Sequence, residues 1–209
     1  MNILSRILSG FRSAFQWDNP IEILIDYHIF RRNDPIRLLH CGHPIIVNYR
    51  HSDMQAARDV LLKGMYDQAF NHAFENMSKN ETFRYLNLGA NIGAFDIRAL
   101  QFGKQHGIFV VGTAVEMNPA AFSRLVVQLD INRLYSVRAV NAAVWNQRGE
   151  VLVSVAARDT GQNCESTPTG WPVPMRPWNE IFAEASKGEP IFRPYIFLPS
   201  SFAPFADFA

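Results

Sequence analysis

The sequence predicts an α/β fold built around a largely parallel sheet, and three observations predict it. An apolar run, Phe83–Leu88, ends in two glycines separated by three residues, in Y-L-N-L-G-A-N-I-G from Tyr85 to Gly93. A second apolar run, Ile108–Val115, ends in an acid, Glu116. Helical patterns, Ala94–Gln105 and Ala120–Ile131, alternate with these runs and with a third apolar stretch, Ser136–Val144. Strands alternating with helices form βαβ units, whose strands pair in parallel.

The first element reads as strand, tight turn and helix N-terminus. Gly89 and Gly93 lack a Cβ and can take positive φ, so the backbone there can approach a ligand closely. The helix start behind the turn favours negative charge. Nucleotide-like cofactors occupy this geometry in Rossmann-like folds. Tight packing alone also selects such a turn, and the motif by itself leaves both readings open. Glu116 shifts the balance. A carboxylate at the end of the second strand is where Rossmann-like folds hold a ribose diol, because its two oxygens can accept from two adjacent hydroxyls. For an isolated Glu, a solvated loop acid would be the default.

The remaining elements follow from pattern and punctuation. Met1–Phe15 has apolar residues at helical spacing (Ile3, Leu4, Ile7, Leu8, Phe11) and reads as a helix packed on the domain, with a membrane- or partner-facing helix as the alternative. Ile21–Phe30 is apolar and follows Pro20; Pro44–Tyr49 reads as a short strand. Asp53–Asn76 reads as helical, with Gly64 a point where it breaks. Gln147-Arg148-Gly149 makes a turn into Val151–Val155, expected antiparallel to the strand before it, with Val144 and Trp145 in the core. Asn163–Pro174 reads as a loop and Trp178–Lys187 as a helix. The expected organisation is a partly helical lead-in over 1–80, a cofactor-binding domain over 81–190 and an irregular Phe- and Pro-rich tail over 191–209.

Composition bounds the function. The chain has 209 residues, 48% hydrophobic and 19% charged, which suits one domain with a sizeable core. A formal charge of +1 offers no footprint for nucleic acid. No stretch reaches the roughly 18 apolar residues of a membrane helix, and no secretory signal is apparent. Cys41 and Cys164 lie far apart without metal spacing, which fits a reducing, cytoplasmic setting. His40-Cys41-Gly42-His43 has no second ligand pair and reads as a turn, so no metal is expected.

Three segments together, L-N-L-G-A-N-I-G, V-E-M-N-P-A-A-F-S-R-L and N-A-A-V-W-N-Q-R-G-E-V, resemble the FkbM-type methyltransferases. The resemblance starts near Ser52 and fades after about Pro190. It implies a Rossmann-like class I methyltransferase fold, S-adenosylmethionine as cofactor and methylation of a small-molecule or sugar hydroxyl. It further implies a cofactor site made of Asn87, Gly89, Ala90, Asn91, Gly93, Glu116, Asn118 and Asn141. No catalytic base is assigned. Asp96 is a candidate by position only, and its place in the first turn of a helix favours a role in balancing the helix dipole.

Two departures from the family stand out. The family has an acid where this chain has Asn87, and the change from a charge-assisted to a neutral hydrogen bond predicts a loss of about tenfold in cofactor affinity. The family's next strand runs into K-x-D-x-E-G. Here the residues after Pro190 contain no lysine and one acid, Asp207, among five phenylalanines and three further prolines. The expectation is a C-terminally incomplete fold from a truncated or frame-shifted chain, its sheet ending after the third parallel strand. Such an edge would favour self-association. The alternatives are a non-catalytic cofactor-binding or interaction domain, and a dinucleotide oxidoreductase, which the absence of G-x-G-x-x-G disfavours.

Overall fold

In a computed structural model the residues described are 12–26, 35–48, 53–154 and 170–186, with the backbone of Tyr195–Phe197. The expected helix over Met1–Phe15 falls mostly outside them. The lead-in supplies α1 (Pro20–Leu24), the antiparallel hairpin β1 (Ile36–His40) and β2 (His43–Val47), α2 (Asp53–Ala57), a π-helical turn (Arg58–Leu62) and α3 (Asp67–Glu75). His40-Cys41-Gly42-His43 forms the hairpin turn, with Cys41 and Gly42 both left-handed. The helical stretch from Asp53 breaks at Gly64, whose φ of +64° only glycine adopts cheaply.

The central sheet has β3 (Thr82–Leu88), β4 (Phe109–Glu116) and β5 (Val137–Asn141), all parallel, joined by α4 (Ala94–His106) and α5 (Pro119–Ile131). Except at the end of β5, these boundaries lie within two residues of the expected ones, because each helix is punctuated. Pro119 opens α5 in its first turn, and Gly107 closes α4 at φ +68°. A fourth strand, β9 (Tyr195–Phe197), pairs in parallel with the other side of β3, giving the order β5-β4-β3-β9. The expectation that the sheet ends after three parallel strands is therefore corrected. The three residues of β9 lie between Pro194 and Pro199, so no proline has to donate within the ladder. This reversal of strand order about β3 makes the topology Rossmann-like and places the switch point beside the glycine turn.

A second sheet has the order β6-β8-β7, from β6 (Ala143–Trp145), β7 (Gly149–Val153) and β8 (Trp171–Pro177). Three expectations change here. Ser136–Val144 is not one strand: the chain leaves the central sheet at Ala142 and resumes in the second. The strand from Val151 does not pair with its predecessor, because β8 lies between them, antiparallel to β7 and parallel to β6. Residues from Trp171 to Pro174, read as loop, are strand. β6 pairs only with Met175–Pro177, so the β6 side of β8 is open beside Pro172 and Pro174, where a missing N–H costs nothing. Trp145 is exposed rather than core. The helix expected at Trp178 is α6 (Trp178–Ala185).

One apolar cluster joins the lead-in to the sheet. Phe70 of α3 packs against Phe95 and Phe102 of α4 at ring separations of 5.0 and 5.1 Å, and Phe74 against Phe83 of β3 at 4.6 Å. Buried amides pin the hairpin to the helices. Gln101 of α4 donates to the His40 carbonyl, Asn132 to that of Pro44, and Gln128 of α5 accepts from the Ile46 N–H. Asp53, fully buried at the start of α2, pairs with Arg124 of α5 at 2.8 Å.

Candidate functional site

The carboxyl ends of β3, β4 and β5 meet in a hydrogen-bond hub centred on Glu116. Gly89 and Ala90 both donate their N–H to the Val115 carbonyl, which folds the turn after β3 onto the end of β4. Gly89 and Gly93 have φ of +80° and +83°, and Asn91 between them has +51°. A Cβ on Gly93 would also stand 2.9 Å from the Leu125 side chain of α5. The turn thus requires glycine at both places, as the sequence suggested. Glu116, 7% exposed, accepts from the Asn91 N–H and from the Asn118 N–H, each at 2.7 Å. Burial raises its carboxyl above the ordinary range, against these N–H donors and Arg124, which lower it.

Asn118 and Asn141 serve this hub. The Asn118 side-chain oxygen caps α5, accepting from the N–H groups of Ala120 and Ala121 at 2.9 and 3.2 Å. Asn141, level with Glu116 on the neighbouring strand, donates its amide to the carbonyls of Glu116 and Met117. Both side chains hold the loop after β4 in shape.

Asn87 lies beneath the turn, on the face of β3 toward α4. Its amide nitrogen donates to Asp96 at 3.1 Å, and the Tyr85 hydroxyl donates to the other Asp96 oxygen at 2.6 Å. Asp96 is fully buried, and that burial pushes its carboxyl up to about 7, against the two hydrogen bonds. Asp96 stands in the first turn of α4, as expected, and its carboxyl is also bonded by Tyr85 and Asn87 and shielded from solvent.

The structure therefore gathers Gly89, Ala90, Asn91, Gly93, Glu116, Asn118 and Asn141 around one loop pair and sets Asn87 behind it. It adds Tyr85, Met117 and Arg124. Tyr85 was foreshadowed only by sharing a strand face with Asn87, two residues on. Arg124 carried no local signal, because its partner Asp53 is far away in sequence.

An S-adenosyl cofactor suits the groups present. Asn91 Oδ1 is buried and has no hydrogen-bond partner, so it is an acceptor in need of a donor. Glu116 has acceptor capacity beyond the N–H groups it already holds. Hydroxyl and ammonium groups are the complements of such atoms.

No family model matches the chain, and no curated protein matches it. Among solved structures it is similar to TYW2 of P. horikoshii in complex with MeSAdo, with 13% identity, 53% of this chain and 36% of that one covered, and a TM-score of 0.34. It is similar to YjhP of E. coli, with 16% identity, 41% and 34% covered and a TM-score of 0.29. A third, a Streptococcus mutans protein described as a candidate SAM-dependent methyltransferase, gives 14% identity, 54% and 27% covered and a TM-score of 0.32. The chain thus spans between about a quarter and just over a third of the length of these structures. In fold it is a mixed α/β protein with a parallel, Rossmann-like central sheet.

Proposed function

We propose that this chain binds S-adenosylmethionine and belongs to an enzyme that methylates a hydroxyl of a small molecule or sugar. The observation that carries the reading is the grip of Glu116 on the Asn91 N–H. It ties the glycine turn to an acid at the end of the second parallel strand, with the unpaired Asn91 oxygen beside it. In this reading Glu116 takes the ribose hydroxyls. The left-handed turn of Gly89 to Gly93 brings the backbone close to the ligand, and Asn91 Oδ1 accepts a hydrogen bond from it. The bound cofactor supplies an activated methyl group on a sulfonium. What remains for the chain is to position that centre against an oxygen nucleophile. The resemblance to the FkbM-type enzymes in the glycine turn and in V-E-M-N-P supports this reading.

A cofactor-binding domain without catalysis is the second reading, favoured by a specific feature of the sequence. Past Pro190 the chain has no lysine and a single acid, Asp207. Among the described residues no helix is long and apolar enough to cross a membrane. The cytoplasm as the site of action and self-association through the β5 edge remain part of the proposal.

Thermal unfolding with added ligands tests the cofactor. At a hundredfold excess over its Kd, S-adenosylhomocysteine should stabilise the chain by about 2.7 kcal/mol, a rise of several degrees in Tm, while NAD should leave it unmoved. A rise with NAD and none with S-adenosylhomocysteine would replace this reading with a dinucleotide one.

A further inference from the structure

Asp96 is a buried acid that the Glu116 hub does not use. It sits in the first turn of α4, directly behind the glycine turn. Gly112 of β4 makes its environment possible: a Cβ there would stand 2.3 Å from the Tyr85 ring, so only glycine leaves that ring free to reach Asp96. Asn87 is the last residue but one of β3 and points its amide nitrogen at Asp96. The carbonyl oxygen of the same amide is thereby turned away from Asp96.

Among the described residues no cation pairs with this carboxyl. β3 presents Tyr85 and Asn87 to it, with Arg84 on the opposite strand face, and β4 presents Gly112. On α4 itself, Arg98 is engaged by Asp67 of α3 and by Gln101. On α5, Arg124 is engaged by Asp53. On the π-helical turn, Asp59 is held by Lys63 and Gln55. A buried carboxylate without a cation is costly to the fold, and the cost makes sense where the missing cation is a ligand.

We infer that Asp96 is a positioning residue for a cationic cofactor. Through Asn87 it fixes the amide at the end of β3, and its charge behind the glycine turn favours the sulfonium ligand over the demethylated product. The inference rests on the function proposed above. S-adenosylmethionine carries one positive charge more than S-adenosylhomocysteine. Because the carboxyl is pushed up to about 7 by burial, that preference is gained as pH rises through neutrality.

The test is calorimetric titration of the whole chain with both ligands from pH 5.5 to 7.5. The window ends there because the amino group of both ligands titrates nearer 8. In the wild type, the affinity for S-adenosylmethionine relative to S-adenosylhomocysteine should rise several-fold across the window, as the carboxyl ionises near pH 7. In Asp96→Asn the ratio should stay flat at its low-pH value. Tyr85→Phe removes a hydrogen bond that favours the charged form, so its ratio should begin to rise at higher pH and be smaller at pH 7.5 than the wild type's. A merely structural role would change both affinities together and leave the ratio alone. A ratio that rises equally in wild type and Asp96→Asn, or as early and as far in Tyr85→Phe as in the wild type, overturns the inference and leaves the proposed function standing. A folded wild type that binds neither ligand overturns both.

Discussion

Asp96→Asn is expected to remove a loss of stability of about 4 kcal/mol that the wild type suffers between pH 4 and pH 7. The folded-state carboxyl is pushed up to about 7 by burial, from an ordinary value of 3.8. Between these values the unfolded chain has released the proton and the folded chain still holds it. Stability therefore falls as pH rises, by about 1.4 kcal/mol per pH unit, and levels off above 7. This is opposite in sign to Asp59 and Glu184, whose carboxyls are lowered, first by hydrogen bonds from Lys63 and from Arg176 respectively, and which lose stabilisation as pH falls. The measurement is therefore a difference: urea unfolding of wild type and Asp96→Asn at pH 4.5, 6 and 8. The variant should gain on the wild type steadily toward pH 8. A constant difference at all three values would show that Asp96 titrates as an ordinary exposed acid.

Glu116→Ala should cost about 3 kcal/mol of stability before any ligand is considered. The N–H groups of Asn91 and Asn118 would both lose their acceptor, each at about 1–3 kcal/mol in a buried setting. Glu116→Gln keeps the volume and one acceptor oxygen, and should cost about 1 kcal/mol. Equal costs for the two variants, read by urea unfolding at pH 7.5, would mean that the hydrogen bonds do not hold the loop. Because the alanine variant disturbs the turn itself, the glutamine variant is the sounder probe of binding.

The parts of this fold that local chemistry dictates were legible in the sequence. The glycine turn, the break at Gly64, the start of α5 at Pro119 and its close near Ile131 each depend on residues within a few positions of one another. Glu116 was legible as the acid closing the second strand because its place at the end of an apolar run is a local property. What escaped were the consequences of long-range pairing. β9 was missed because prolines flank a run of three residues, too short to show a period. The first part of β8, Trp171–Pro174, was read as loop because two of its four residues are proline, tolerated where β6 leaves that side open. Asp96 was read as a dipole acid because nothing in its neighbours reveals that the Tyr85 ring would reach it over Gly112. Asn118 and Asn141 were expected near the cofactor; that their side chains bond to backbone around Glu116 was not legible, because those partners are set by the pairing of β4 with β5.

The central claim is that Glu116 and the glycine turn form an S-adenosyl site. Isothermal titration of S-adenosylhomocysteine into the wild type and into folded Glu116→Gln at pH 7.5 tests it most directly. One-to-one binding by the wild type, weakened about tenfold or more in the variant, is the predicted result, since a charged acceptor for the ribose becomes a neutral one. No heat from a folded wild type, or equal affinity in the two proteins, would contradict it.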